Sequence, residues 1–86
     1  MKLIDTIYLM GSNDYKERFL AEYLQLKIRI EGLRAMLIKY RNNELDFTPK
    51  CSYELLYMQM LNMESYLTLL KQRAEIEEIS LDMEEK

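Results

Sequence analysis

Eighty-six residues allow one domain, and a chain this short buries a comparatively small share of its unfolded surface. Disulfides, a metal or self-association commonly make up the difference, but the single cysteine, Cys51, has no internal partner and no histidine exists to complete a zinc set, so self-association is the expected route, with no metal and no cofactor. A net charge of −3 weighs against binding duplex nucleic acid, and no run of about 18 apolar residues is present to span a bilayer.

The chain opens Met1-Lys2-Leu3-Ile4 with Asp5 immediately after, unlike a secretory leader, so a cytoplasmic protein is expected. Residues 1–12 are apolar at 3, 4, 7, 8, 9 and 10 and predict a short helix or an arm lying on the rest of the domain. Gly11-Ser12-Asn13-Asp14 is a breaker followed by cap residues, with Asp14 and Glu17 at capping-box spacing.

A first helix is predicted over 14–42. Phe19, Tyr23, Leu26, Ile30, Leu33, Leu37 and Tyr40 recur at steps of four and three, which is a heptad seam. The helix is expected to close near Asn42-Asn43, since Asn tolerates left-handed backbone and Lys39 and Arg41 suit the negative end of the dipole. Residues 43–51 form the connection, with Thr48-Pro49 inside it and Ser52 as the next cap. A second helix is predicted over 52–79, because Tyr53, Leu56, Met60, Met63, Leu67, Leu70 and Ala74 make a second unbroken seam. The acid-rich stretch 75–86, ending in an acidic tail over 80–86, is expected to fray, with Ile76, Ile79 and Leu81 as its last apolar anchors. The prediction is therefore a single all-α domain over 1–86: an antiparallel two-helix hairpin with a short N-terminal element.

Each helix carries more apolar surface than one hairpin interface uses. Leu20, Leu24 and Ile28 form an extra row on the first helix, and Leu55, Met58, Tyr66, Leu69 and Ile76 form one on the second. Leaving these in water forgoes about 1.5 to 3 kcal/mol each, so a helical homo-oligomer is expected to cover them, with seven methionines as adaptable filling.

Charge is unevenly distributed. Through Asn43 there are eight Lys and Arg against five Asp and Glu; from Glu44 onward there are four against ten. The basic first helix offers Lys16, Arg18, Lys27, Arg29, Arg34, Lys39 and Arg41 to an anionic ligand, with Tyr15 and Tyr23 as candidates to stack on a base. The plainer alternative is a solvated face of intrahelical pairs, Glu22 with Lys27 and Glu31 with Arg34. Catalysis is not expected. No histidine can act as a neutral-pH base, no glycine-rich phosphate loop occurs, and Cys51 has no histidine to activate it and reads as a small apolar residue packed in the connection or as one that sits near a helix start.

The segments Tyr15-Lys16-Glu17-Arg18-Phe19-Leu20-Ala21-Glu22-Tyr23, Leu26, Leu33 to Met36, Leu45-Asp46-Phe47-Thr48-Pro49 and Gln59-Met60-Leu61-Asn62-Met63-Glu64-Ser65-Tyr66 resemble a family of small phage proteins. These are the crAss-phage-related helical-hairpin proteins of phages and prophages, similar to the hairpin domain of phage anti-CBASS and anti-Thoeris sponges. The resemblance spans roughly residues 14–79. It implies a non-catalytic homo-oligomer in the host cytoplasm that holds cyclic di- or trinucleotides, or cyclic ADP-ribose-type signals, between protomers and so keeps a host effector silent. It implies that Tyr15 stacks on a base, that a basic residue farther along the helix, Lys27 or Arg29, meets phosphate, and that Arg73 contributes from the second helix. Arg18 completes the candidate ligand-binding set of Tyr15, Arg18, Lys27, Arg29 and Arg73. The chain departs from the pattern in its N-terminal arm and in carrying Tyr57 and Met58 where relatives often have basic residues. The competing expectation is a phage protein–protein interaction module, a structural accessory or host-protein inhibitor with no small-molecule ligand.

Overall fold

The computed structural model describes residues 1–82, and among them it contains helices and no strands. A 3-10 turn at Leu3–Thr6 leads into α1 (Ile7–Met10); α2 (Tyr15–Arg41) and α3 (Tyr53–Glu77) follow and pack together as the predicted hairpin. No helix among the described residues is long and apolar enough to cross a membrane.

The helix ends follow local chemistry. At the start of α2, the Asp14 carboxylate accepts from the Lys16 amide at 2.9 Å. Glu17 does not return to the Asp14 amide as a capping box requires. Instead that amide donates to the Ser12 hydroxyl at 2.9 Å, and the hydroxyl donates to the Glu17 carboxylate, so Ser12 relays the bond. α2 closes with Asn43 in the left-handed region, φ 57°, where the Glu44 amide reaches back to the Lys39 carbonyl at 2.8 Å. Ser52 caps α3 by accepting from the Leu55 amide. α3 closes two residues earlier than 79: Glu78 turns left-handed at φ 58°, and the Ile79 amide bonds the Ala74 carbonyl at 2.8 Å. That six-to-one bond drives Ile79 into the core, which is the hydrophobic partner such a closure normally has.

Both seams line the helix interface. Phe19, Tyr23, Leu26, Ile30 and Leu37 are buried with Met60, Leu70 and Ala74, while Leu33, Tyr53, Leu56, Met63 and Leu67 pack around them. The extra row on α2 corrects the expectation that a second subunit must cover it. Leu20 and Leu24 are only 7% and 1% exposed within the single chain, and Ile28 is half-buried. Leu9 from the N-terminal arm and Ile79 from beyond α3 join the same buried cluster.

A polar latch fixes the arm. The wholly buried Thr6 hydroxyl donates to the Leu3 carbonyl at 2.7 Å and accepts from the Gln25 amide nitrogen at 2.8 Å, while Lys2 N–H is taken by Asp5. The acidic segment likewise differs from the frayed tail expected of it. Glu75 and Glu77 lie in α3, Ile79 is buried and Leu81 packs on the core, but Ile76 is 80% exposed and stands outside the core of the described residues. Residues 83–86 of that expected tail lie outside the described residues. Cys51 is exposed in the connection, just before the Ser52 cap, so it sits near a helix start and is not packed as a small apolar residue.

Because the arm closes the core, truncating Leu9 to alanine should cost about 2 to 4 kcal/mol in urea unfolding, the range for a buried leucine. A loosely attached arm would show a loss below about 0.5 kcal/mol.

Candidate functional site

At one end of the hairpin, the first turn of α2 meets the last turns of α3. Tyr15 is the first residue of α2, held there by the Asp14 cap, and Arg73 and Glu77 sit one turn apart near the end of α3. The Arg73 guanidinium donates through Nη2 to the Tyr15 hydroxyl at 2.6 Å and through Nε to the Glu77 carboxylate at 2.9 Å. The Tyr15 hydroxyl in turn donates to the other Glu77 oxygen at 2.7 Å. Phe19, one turn beyond Tyr15, is the floor: the guanidinium carbon stands 4.9 Å above its ring, within cation–π range, and the Tyr15 ring meets it edge-on at 6.3 Å. Lys16 donates to the Glu78 carbonyl at 3.3 Å and adds a cation beside the cluster.

These contacts set the protonation states. The hydrogen bond to Glu77 pushes the Tyr15 phenol above its ordinary value of 10.0, with desolvation adding to it and the Arg73 charge opposing. The bonds from Tyr15 and then Arg73 hold the Glu77 carboxyl below the usual carboxylate range, and the bond to Glu77 raises Arg73 further. Arg73 and Glu77 keep half and a third of their side-chain surface in water, and Tyr15 remains 46% exposed. The arrangement is an exposed cation on an aromatic floor beside a tyrosine ring that can stack. It already holds one anionic group, the Glu77 carboxylate, by hydrogen bonds that a phosphate oxygen could equally accept.

Of the five candidate residues, the hairpin brings Tyr15 and Arg73 together from opposite ends of the chain. The other three lie elsewhere. Arg18 donates to the Ser12 carbonyl at 2.8 Å and secures the turn before α2. Lys27 and Arg29 lie on α2, about 18 and 21 Å along its axis from Tyr15 at about 1.5 Å per residue, too far to share one nucleotide with it. At about 100° per residue Arg29 keeps Tyr15's side of the helix, whereas half-buried Lys27 is turned about 120° away. Tyr23 is buried in the core and has no free ring face to offer a base. Arg34 pairs across the hairpin with Glu64 and not within its helix with Glu31.

A separate cleft of about 400 Å³ lies at the far end, between α2 and the connection, lined by Gly32, Ala35, Met36, Lys39, Glu44, Leu45, Asp46 and Phe47. Its two acids outnumber its one cation, which makes it the poorer place for a phosphate. Glu77 escaped the sequence reading because acid at a helix end is usually solvated. The signal available was its spacing of four from Arg73.

The sequence profile of Sequestin matches residues 13–76, well over half of the chain. The chain belongs to the Sequestin family. The Sequestin match takes in α2, the connection and nearly all of α3, so Tyr15, Phe19 and Arg73 fall inside it while the N-terminal arm and Glu77 fall outside. No curated protein and no solved structure matches the chain.

The sign of each shift fixes a pH window for the cluster. Glu77, depressed when folded, contributes stability above its unfolded value that is lost as pH falls through the folded one; Tyr15, raised when folded, contributes below pH 10.0 and loses this as pH rises past its folded value. In an absorbance titration of tyrosinate, Tyr15 should ionise above pH 10.0, and Glu77→Gln should bring it back towards that value. An unchanged titration in the variant would mean that the two side chains do not touch in solution.

Proposed function

We propose that this Sequestin-family chain is a phage anti-defence sponge: it binds a cyclic nucleotide immune signal in the host cytoplasm and withholds it without cleaving it. The family name speaks of sequestration, which is compatible with a sponge for a small signalling molecule. The observation that carries the reading is the meeting of Tyr15 and Arg73 over Phe19, which gives a stacking surface and a phosphate donor at one exposed spot. Cyclic di- or trinucleotides and cyclic ADP-ribose-type signals combine a base with phosphate and fit that pairing. Holding without cleavage is compatible with the cluster, whose one carboxylate, Glu77, is kept below its ordinary pKa by the bonds from Tyr15 and Arg73. The protein acts as a homo-oligomer, because α3 keeps Leu55, Met58, Leu69 and Ile76 uncovered in the single chain.

The same bare face supports the second reading, an interaction module that lays α3 on a host or phage protein and takes no small ligand.

Calorimetric titration with a panel of cyclic di- and trinucleotides and cyclic ADP-ribose isomers separates the two. A sponge binds at least one of them and releases it chemically intact on denaturation. Arg73→Ala should weaken that binding about 10- to 100-fold, the loss expected for a hydrogen bond to a charged group. Tyr15→Phe should weaken it less than Tyr15→Ala, since the ring remains. Heatless titrations across the whole panel would rule the sponge out and leave the interaction module.

A further inference from the structure

The Tyr15–Arg73 cluster carries an anion of its own. Glu77 is the last residue of α3, one turn after Arg73, and its carboxylate accepts the Arg73 Nε–H at 2.9 Å on one oxygen and the Tyr15 O–H at 2.7 Å on the other. The bond from Arg73 Nη2 to the Tyr15 oxygen, 2.6 Å, closes a ring of three side chains. Arg73 has further donors on Nη1, but an anion approaching them meets a guanidinium whose charge is already matched and a carboxylate of its own sign beside it. Lys16 adds a cation nearby, with its ammonium turned to the Glu78 carbonyl.

Glu77 is free to leave. Its side chain keeps a third of its surface in water, and the end of α3 is fixed without it, by the bond from the Ile79 amide to the Ala74 carbonyl and by Ile79 in the core. We infer that Glu77 is an internal competitor that sets the selectivity of this site: it keeps Arg73 and the Tyr15 hydroxyl from simple anions and yields to a ligand that brings a base together with its phosphate. This role rests on the sponge reading above. A carboxylate tethered to the helix has no translation or rotation to give up, whereas a free phosphate must surrender both to gain the same two bonds, so phosphate alone loses the exchange. A nucleotide also stacks on the half-exposed Tyr15 ring, worth about 5- to 150-fold in affinity per base, and that tips the exchange the other way. A carboxylate that merely aimed Arg73 would help every ligand to bind. A competitor weakens all of them by the same factor, which only the stacked ligand can bear.

Calorimetry with inorganic pyrophosphate and with the cyclic nucleotide panel, on the parent, Glu77→Gln and Glu75→Gln, separates these roles. Glu75 is exposed and about 200° round the helix from Glu77, so its variant makes the same change of net charge away from the cluster. Both variants should match the parent's helicity by circular dichroism. A like charge about 4 Å away in water is worth about 5-fold, so Glu77→Gln should bind nucleotide about 5-fold tighter or more and take up pyrophosphate that the parent leaves in solution, while Glu75→Gln behaves as the parent. A Glu77→Gln protein that binds neither probe more tightly than the parent, or an equal gain in Glu75→Gln, overturns the competitor and leaves sequestration standing. Pyrophosphate taken up by Glu77→Gln alone, with no nucleotide bound by any of the three proteins, upholds Glu77 as the guard of Arg73 and Tyr15 and removes the sponge reading. No binding of any probe by any of the three overturns both.

Discussion

A pair of helices has only one mutual face, and the architecture follows from that limit. The seams of α2 and α3 consume it with Phe19, Tyr23, Leu26, Ile30, Leu37, Met60, Leu70 and Ala74. Everything apolar beyond the seam needs another cover, and the two helices obtain it differently. On α2, Leu20 and Leu24 are sealed within the chain, in one cluster with Leu9 of the arm and Ile79 of the turn after α3. On α3 no element among the described residues does the same, and Leu55, Met58, Leu69 and Ile76 are exposed. A domain this small has little stability to spare, so a face of that size is costly unless something covers it.

The closed end of the hairpin links that packing to chemistry. The left-handed turn at Glu78 and the bond from Ile79 back to Ala74 end α3 beside the capped start of α2. Two sequence-distant groups, Tyr15 and Arg73, thereby come within hydrogen-bonding distance, with Phe19 beneath and Glu77 alongside. In the unliganded chain the carboxylate satisfies both donors. The cluster is therefore held organised by groups of the chain itself.

The parts of this picture that were legible in the sequence were those written in local spacing. Steps of three and four located both seams, and Asp14, Asn43 and Ser52 marked the helix ends because capping depends on residues within a turn of each other. The role of the arm was not legible, since its hold depends on Thr6 meeting Gln25 nineteen positions away. For the same reason the Ser12 relay displaced a capping box that Asp14 and Glu17 fitted by spacing alone. At the candidate site, Arg73 entered only through a family resemblance, because residues 58 apart meet by folding and not by pattern. Tyr23 looked equivalent to Tyr15 by residue type, yet its place in the seam buries it. Lys27 and Arg29 looked close to Tyr15 in the chain, yet the rise of a helix carries them away from it.

The central proposal is that a homo-oligomer of this chain holds a cyclic nucleotide at the Tyr15–Arg73 end. Native mass spectrometry of the protein purified from bacteria that make cyclic nucleotide signals addresses assembly and cargo in one spectrum. The proposal predicts a homo-oligomer with an added mass equal to an intact cyclic nucleotide, absent from the Arg73→Ala variant. A lone, folded monomer of bare mass at micromolar concentration would contradict it.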